Sequence, residues 1–405
     1  MRQHKIILVF LMLMATSFMS FKPYVDDPRS PIVMQVAGIV LLAYCFNTIF
    51  GHRFKGNVFK TGSVWVLFSF FTGMLSSYIL YNQDFYQSLK ATSPWFFCAC
   101  LYFLCIKWRI QEEFIIRFLI IFSIVFTAVE MLQQLTYPLM LFNGRAANDI
   151  TGDVEQRMGL WRFYIFGVDY CILACLFCFQ QVMQKSQKYI GLLIITFLGI
   201  VFFVARKNIF AVISCFIIGT IFGSKKSSAF SKILIAVFVL VIFAILPAYM
   251  SDLMEQTSDE IDNEDFIRYV AADYFIHEFN DSPFYMLFGS GLAGGKSALA
   301  VQIDYLQEVY FFFKSDCGFI GYYSDFGWFG IGAMLYLIVR IVANYKYIDQ
   351  YLLLYLLLRI EISFFDFWGN YPRNLAAWFI YLYLIECSIR RNKQKRFVAL
   401  QTVNV

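Results

Sequence analysis

Long runs of apolar residues, interrupted by short polar stretches, dominate this 405-residue sequence. A run of about 20 apolar residues is long enough for a helix to cross the hydrocarbon core of a bilayer. The runs are continuous, whereas a membrane β-barrel would need alternating apolar and polar residues. The pattern predicts an all-α, polytopic integral membrane protein with about twelve transmembrane helices, at residues 6–21, 32–50, 62–81, 92–106, 113–134, 163–183, 189–204, 208–223, 233–249, 317–342, 350–366 and 375–389.

A polar break at residues 205–208, with the sequence ARKN, divides an apolar stretch that otherwise runs from Tyr189 to Gly223. A single helix over this stretch would be roughly 52 Å long, against a hydrocarbon core of about 30 Å. Two helices joined by a tight polar turn fit the membrane better. Arg206 would then lie at the tip of a helical hairpin.

The composition agrees with a membrane protein. Hydrophobic residues make up 60% of the chain and charged residues 15%, whereas soluble domains have about 45–50% and about 25%. A single soluble core stops growing near about 250–300 residues, so it could not hide this much apolar surface. A cytosolic enzyme and a single-span receptor are both excluded.

The distribution of Lys and Arg between loops predicts the orientation, because cytoplasmic loops carry an excess of both. Twelve spans place eighteen basic residues on the side of the termini and twelve on the other side. Both termini are therefore predicted to be cytoplasmic. Two long loops, residues 135–162 and 250–316, are predicted to be periplasmic.

Arginines on the outer face oppose this bias, so a cluster of them there needs a reason. One reason is contact with lipid headgroups or pairing with loop carboxylates. The other is an anionic substrate, because guanidinium groups bind phosphate oxygens in a bidentate way. Six basic residues belong to loops that could converge over one cavity: Arg145, Arg157, Arg162, Arg206, Lys207 and Arg268.

The stretches that resemble nucleotide-binding or metal-binding motifs each lack a feature that such a motif requires. The stretch SGLAGGKS has Ser290 where a phosphate-binding loop needs its first glycine, and no strand precedes it. The acidic run 252–265 lacks the spacing and glycine of a calcium-binding loop. His4, His52 and His277 are too scattered for a zinc site. The sequence predicts no metal and no cofactor.

Charged residues inside the predicted spans need partners within the bundle. Arg359 and Glu361 are two apart on one helix and point in different directions, so each must pair with another span. A transporter would use such groups as a relay, and an enzyme would use them to hold the bundle together. The sequence leaves both open for Arg117, Glu130, Asp169, Asp325, Arg340, Arg359, Glu361 and Glu386.

The order of motifs in residues 195–345 resembles bacterial surface-polysaccharide polymerases. A hairpin tip VARKNIFAVIS precedes a span and a long outer loop with RYVAADYF and SPFYMLFGSGL, and SDCGFIGYYSDFGWFG then enters the next span. This order is similar to that of the O-antigen polymerase (Wzy-type) and O-antigen ligase superfamily. Ligases of the superfamily usually have a histidine near the position of Ser315 or Asp316, so the sequence is closer to a polymerase.

The resemblance implies polymerisation of undecaprenyl-diphosphate-linked oligosaccharide repeat units into O-antigen or capsular polysaccharide. Arg206 and Arg268 would bind the diphosphate, while Asp316 and His277 are candidates for the base. If residues 266–279 form one helix, Arg268 and His277 face opposite ways, which favours Arg268 in the site. Five further outer basic residues are candidates for binding substrate: Arg145, Arg157, Arg162, Lys207 and Arg373.

The family also implies a location and partners. The protein would lie in the bacterial cytoplasmic (inner) membrane as a multi-pass protein, among membrane lipid, with a chain-length regulator and a flippase as partners and no nucleic acid. A transmembrane transporter or flippase of lipid-linked oligosaccharide, and an O-antigen ligase, are the alternatives. The asymmetry between the two halves argues against a carrier, because carriers usually contain similar repeats.

Overall fold

The computed structural model describes residues 2–16, 29–51, 56–139, 141, 156–157, 159–163, 165–184, 186–221 and 266–403. Over these residues the chain is almost entirely helical, as the sequence predicts. Five helices are long and apolar enough to cross a membrane: Val33–Phe50, Lys60–Tyr81, Phe85–Trp108, Glu112–Thr136 and Phe319–Ala343. The chain is a helical, membrane-embedded protein.

The helices follow one another with short connections. They are α1 (Arg2–Ala15), α2 (Arg29–Phe50), α3 (Lys60–Tyr81), α4 (Phe85–Trp108), α5 (Glu112–Thr136), α6 (Val168–Met183), α7 (Ile190–Phe202), α8 (Arg206–Ile221), α9 (Phe266–His277), α10 (Pro283–Phe288), α11 (Ala298–Tyr310), α12 (Phe319–Ala343), α13 (Gln350–Ile362) and α14 (Pro372–Val403). Short 3₁₀ turns are at Gln187–Tyr189, Lys314–Cys317 and Tyr345–Tyr347. Strands β1 (Gln156–Arg157) and β2 (Leu160–Trp161) form a small antiparallel hairpin.

Several predicted helix boundaries agree with the structure, and others differ from it. The predicted break between two helices is present, because α7 ends at Phe202 and α8 begins at Arg206. The predicted span 233–249 lies outside the described residues. Helix α13 ends at Ile362, four residues earlier than predicted, so Asp366 lies in the following loop. Helix α14 extends well beyond residue 389, since its basic tail is rich in good helix formers.

The bundle packs around α4 and α14. Helix α4 contacts α1, α2, α3 and α14, and nearly all its second half is buried. Close approach of α2 to α4 depends on Gly38, where a Cβ atom would overlap the carbonyl of Ser93. Small residues at such crossings are typical of membrane helices, which gain stability from close packing rather than from hydrophobic burial.

Residues 289–291, at the start of the glycine-rich segment between α10 and α11, are buried against the bundle, whereas residues 293, 295 and 296 are exposed. The backbone N–H of Ser290 donates to the carbonyl of Ser324 at 2.8 Å, and that of Gly291 donates to the carbonyl of Asp325 at 2.9 Å. Helix α12 is interrupted at Gly327, whose φ of 62° is left-handed, and α10 packs against this kink. The glycines thus serve close packing, and these two N–H groups are already bonded.

Hydrogen bonds group the loops at two ends of the bundle. At one end Lys5 donates to Gln111 at 3.2 Å, and the backbone N–H of Val58 donates to Glu386 at 2.9 Å. At the other end the hydroxyl of Ser297 donates to Gln83 in the α3–α4 turn at 2.7 Å. The candidate site lies at the end of the bundle where α6, α8 and α14 begin.

Candidate functional site: a basic cavity

A cavity of about 170 Å³ lies where three helices begin. Its walls include residues from the first turns of α6, α8 and α14, together with residues 315–316 and the loop after α13. Four basic side chains line it: Arg162, Lys207, Arg359 and Arg373. We call it the basic cavity.

The helix starts themselves favour an anion in this cavity. The first residues of α6, α8 and α14 are Val168, Arg206 and Pro372. The N-terminus of a helix carries unsatisfied N–H groups and a partial positive charge of roughly half an elementary charge. No side chain caps the start of α6. The cavity wall thus combines three helix N-termini and four basic side chains with three carboxylates: Asp169, Asp316 and Asp366.

Four residues that the sequence proposed for the site meet at this cavity. Arg162, Lys207 and Arg373 were predicted to bind substrate, and Asp316 was a candidate base; all four line the cavity. They come from four separate segments of the chain. The structure therefore brings together a large part of the predicted set.

Arg162 is held near the cavity by the end of α5. The side chain of Gln134 accepts a hydrogen bond from the backbone N–H of Trp161 at 2.9 Å and donates one to its carbonyl at 2.6 Å. The Trp161 ring stacks on Tyr137, with ring centroids 4.2 Å apart. This clamp anchors the end of the loop 135–162 to the bundle, so Arg162 follows a fixed backbone.

Arg373 is held by aromatic rings. Its guanidinium carbon lies 3.7 Å from the ring centroid of Phe166 and 4.4 Å from that of Tyr371. Guanidinium groups stack favourably on aromatic faces, and the contact strengthens where water is excluded. The stack fixes the plane of the guanidinium beside the cavity.

Arg359 is the deepest charge in the cavity. Its side chain is 2% exposed, and its Nη1 donates to Asp169 at 2.7 Å. Its Nε and Nη2 are buried and have no hydrogen-bond partner among the described residues. Buried polar groups are normally satisfied, so two unsatisfied donors on one arginine need an explanation. An anion in the cavity would supply the missing acceptors.

Asp366 ties Lys207 to the start of α14. Its carboxylate accepts from Lys207 Nζ at 2.9 Å and from the side chain of Asn374 at 2.9 Å. Burial works to raise the pKa of Asp366, but the charges of Lys207, Arg359 and Arg373 outweigh burial and hold that pKa below its ordinary value. Asp366 is therefore ionised at neutral pH and holds Lys207 at the cavity wall.

The remaining predicted residues do not line the basic cavity. Arg206 is half-buried at the start of α8, between Ala205 and Lys207, which do line it. Arg268 lies on α9, which packs against the turn 314–317 that contains Asp316. Both roles stay predictions.

The other three predicted positions are more remote or undescribed. His277 pairs with Asp273, with 2.9 Å between His277 Nδ1 and Asp273 Oδ1, and the side chain of His277 is 67% exposed. Helix α9 is one continuous helix through Arg268 and His277. Arg145 lies outside the described residues, and of Arg157 only the backbone, in β1, is described.

Sequence reasoning missed Arg359 as a site residue, although it noted that this charge needs a partner on another span. The structure identifies that partner as Asp169. The signal available in the sequence was an arginine inside an apolar run, which marks a functional position as often as a structural one. Which helix would supply the partner could not be read from the sequence.

No protein-family model matches the chain, and a comparison with curated proteins finds no match.

Proposed function

We propose that the protein polymerises undecaprenyl-diphosphate-linked oligosaccharide repeat units at the periplasmic face of the bacterial cytoplasmic membrane. The observation that supports this is the basic cavity, in which three helix starts and four cationic side chains meet at one end of a helical membrane bundle. A diphosphate is the anionic group of a lipid-linked sugar donor. Its oxygens match guanidinium donors and helix N-termini.

The size of the cavity indicates which part of the substrate it holds. A volume of about 170 Å³ takes a compact anionic group but not an oligosaccharide. In the proposal the diphosphate lies in the cavity and the glycan lies outside its mouth, near Asp316. The lipid chain lies in the bilayer around the bundle.

The proposed reaction is a metal-independent glycosyl transfer. A hydroxyl of the acceptor sugar attacks the anomeric carbon of the donor, the bond from that carbon to the diphosphate oxygen breaks, and undecaprenyl diphosphate leaves. Fixed positive charge stabilises the negative charge that develops on the leaving diphosphate. Arg162, Arg359 and Arg373 supply that charge from the cavity wall.

The proton of the attacking hydroxyl passes to a base. Asp316 is the candidate that lines the cavity, and it is exposed, so it can reach a sugar at the mouth. His277, with Asp273, stays the alternative. Arg206 and Arg268 keep the diphosphate-binding roles that the family resemblance implies, next to the cavity rather than in its wall.

A detergent assay tests the proposal. Purified protein should lengthen the lipid-diphosphate repeat unit extracted from a deletion strain, with no nucleotide or ion gradient and in the presence of chelator. Arg373→Ala and Arg162→Ala should each lower the rate by about 10²–10³-fold, and Arg206→Ala and Arg268→Ala should also lose polymer. Lys296→Ala, an exposed basic residue outside the cavity, is the control and should keep full activity.

Transport of the lipid-linked glycan across the membrane is the second candidate function. The buried pair of Arg359 and Asp169 favours it, since carriers use intramembrane ion pairs to switch states. A carrier makes no covalent product and needs a sealed bilayer. Well-folded protein that never forms a longer glycan in detergent, but moves lipid-linked sugar across liposomes, would replace the polymerase with this function.

A further inference from the structure

A second polar cavity, of about 290 Å³, lies at the opposite end of the same helices. Its walls come from the start of α5, the end of α6, the start of α13 and the far part of α14. On α14, Asn374 lines the basic cavity and Arg391 lines the second one, which corresponds to about 26 Å along the helix axis. This separation is close to the thickness of a hydrocarbon core, about 30 Å.

The charges in this second cavity compensate one another. Arg391 donates to Glu112 at 2.7 Å and also pairs with Asp349. Asp349 accepts in addition from the side chain of Asn392 at 3.2 Å. Lys395 adds a second basic residue to balance the two carboxylates. An anion would meet two carboxylates and a cation would meet two basic groups, so a charged ligand of either sign is disfavoured.

Carboxamides make up most of the remaining polar lining. We call the site the carboxamide cavity after Gln180, Gln181, Gln184 and Asn392. Gln180 is oriented by the backbone, because its Oε1 accepts from the N–H of Tyr351 at 2.7 Å. Its amide NH₂ then remains as a donor. A carboxamide both donates and accepts, so it suits groups that do the same.

Tyr351 supplies an aromatic wall and an unsatisfied hydroxyl. The residue is 1% exposed, and its hydroxyl has no hydrogen-bond partner among the described residues. Its ring meets Phe177 edge to face, with centroids 5.3 Å apart. A buried hydroxyl without a hydrogen-bond partner lowers the stability of the fold, and a ligand that forms a hydrogen bond with it would remove this loss.

We propose that the carboxamide cavity binds an uncharged, hydroxyl-rich ligand of monosaccharide size. Hydroxyl groups can donate to Glu112 and Asp349 and can exchange hydrogen bonds with the carboxamides. The C–H faces of a sugar ring can pack on Phe177 and Tyr351. An apolar ligand would offer no acceptor to the amide NH₂ of Gln180 and no partner to the hydroxyl of Tyr351. This binding does not depend on the polymerase reaction at the other end of the bundle.

Binding can be measured as a shift in melting temperature. Full-length protein is placed in lipid nanodiscs, or in a detergent without a sugar headgroup, because maltoside headgroups would compete for the site. A panel of neutral monosaccharides is titrated, with phosphate and choline as charged comparisons. At least one sugar should raise the melting temperature in a saturable way, and phosphate and choline should not do so at this site.

The variant Tyr351→Phe makes the test specific. It removes only a hydroxyl with no partner in the described structure, so the ligand-free protein should melt at the same or a higher temperature. The apparent affinity for the sugar should fall by about 2- to 10-fold, as for the loss of one hydrogen bond. Tyr322→Phe is the control, since Tyr322 is also buried but lines neither cavity, and it should leave the affinity unchanged.

The outcomes separate the proposal from a water-filled cavity. If no neutral sugar stabilises the protein, or if Tyr351→Phe leaves the sugar affinity unchanged, the proposal is wrong. Stabilisation by phosphate or choline that is lost in Tyr351→Phe would also overturn it. A free monosaccharide and the sugar headgroup of a glycolipid share the proposed chemistry, and nanodiscs with and without glycolipid show which of the two binds.

Discussion

Arg359 and Asp169 form an ion pair inside the bundle, and these two side chains are the charged groups in the deepest part of the basic cavity. Removing one member leaves the other charge buried alone, which typically costs about 3–5 kcal/mol in soluble proteins. Removing both charges costs less, because no unpaired charge remains.

Double-variant melting tests this pair. Asp169→Asn alone should lower the melting temperature more than the double variant Asp169→Asn/Arg359→Gln does, because only the single variant strands a charged guanidinium. The double variant should fold but lose the proposed polymerisation. Equal melting of the single and double variants would contradict the prediction that a stranded guanidinium destabilises Asp169→Asn.

Asp366 gives a pH dependence with a definite sign. Its pKa is lower in the folded protein than its ordinary value, so its contribution to the free energy of unfolding is complete above that ordinary value. The contribution is lost as the pH falls through the lower, folded pKa. Melting of the native protein and of Asp366→Asn, followed as a function of pH, should differ by a constant amount from about pH 7 to about pH 5. The difference should shrink below about pH 4, and a difference that already disappears near pH 6 would contradict the ion pair with Lys207.

At the scale of the elements, the kink in α12 is fixed by a glycine that sequence pattern alone does not single out. Gly327 has a φ of 62°, and a Cβ atom there would overlap the backbone of Leu287 in α10. Gly332 lies in the same helix, and a Cβ atom there would meet nothing within 4 Å. The two glycines therefore differ in backbone conformation and in what surrounds them.

Alanine at each position distinguishes their roles. Gly327→Ala should lower the free energy of unfolding by more than about 1–2 kcal/mol. Alanine is strained at a left-handed φ, and its Cβ atom would also overlap the backbone of Leu287. Gly332→Ala should be neutral or stabilise by up to about 1 kcal/mol, as expected in a helix interior. Melting of the two variants in one detergent checks both. If Gly327→Ala melts like the native protein, the kink does not need a glycine.

At the scale of the whole molecule, the two cavities lie at opposite ends of α6, α13 and α14. The basic cavity collects residues from loops predicted to be periplasmic, and the carboxamide cavity collects residues near the basic C-terminal tail. The excess of Lys and Arg on the side of the tail makes that side cytoplasmic in the proposed topology.

Labelling of single cysteines in intact cells checks this orientation. Lys296→Cys should react with a membrane-impermeant maleimide added to spheroplasts, and Arg396→Cys should react only after the membrane is opened. Both side chains are exposed, while nine of the ten native cysteines are buried and give little background. The reverse labelling would place the basic cavity in the cytoplasm and remove the proposed outer reaction.

The pattern of the sequence is enough to assign the class of the protein and to locate most of its helices. Apolar runs of membrane length and the polar break before Arg206 are local features, since the bilayer demands a minimum helix length wherever the chain crosses it. The sequence also identified Arg162, Lys207 and Arg373 as candidates, because basic residues outside oppose the charge bias of the loops.

Which of these residues share a cavity could not be predicted from the sequence, because it depends on how the helices pack. Lipid is as apolar as the helix surfaces, so hydrophobicity does not choose which helices meet. The convergence of three helix starts, the pairing of Arg359 with Asp169 and the burial of residues 289–291 all depend on contacts between distant parts of the chain. The same holds for the carboxamide cavity, which combines residues from four helices and has no local signature in the sequence.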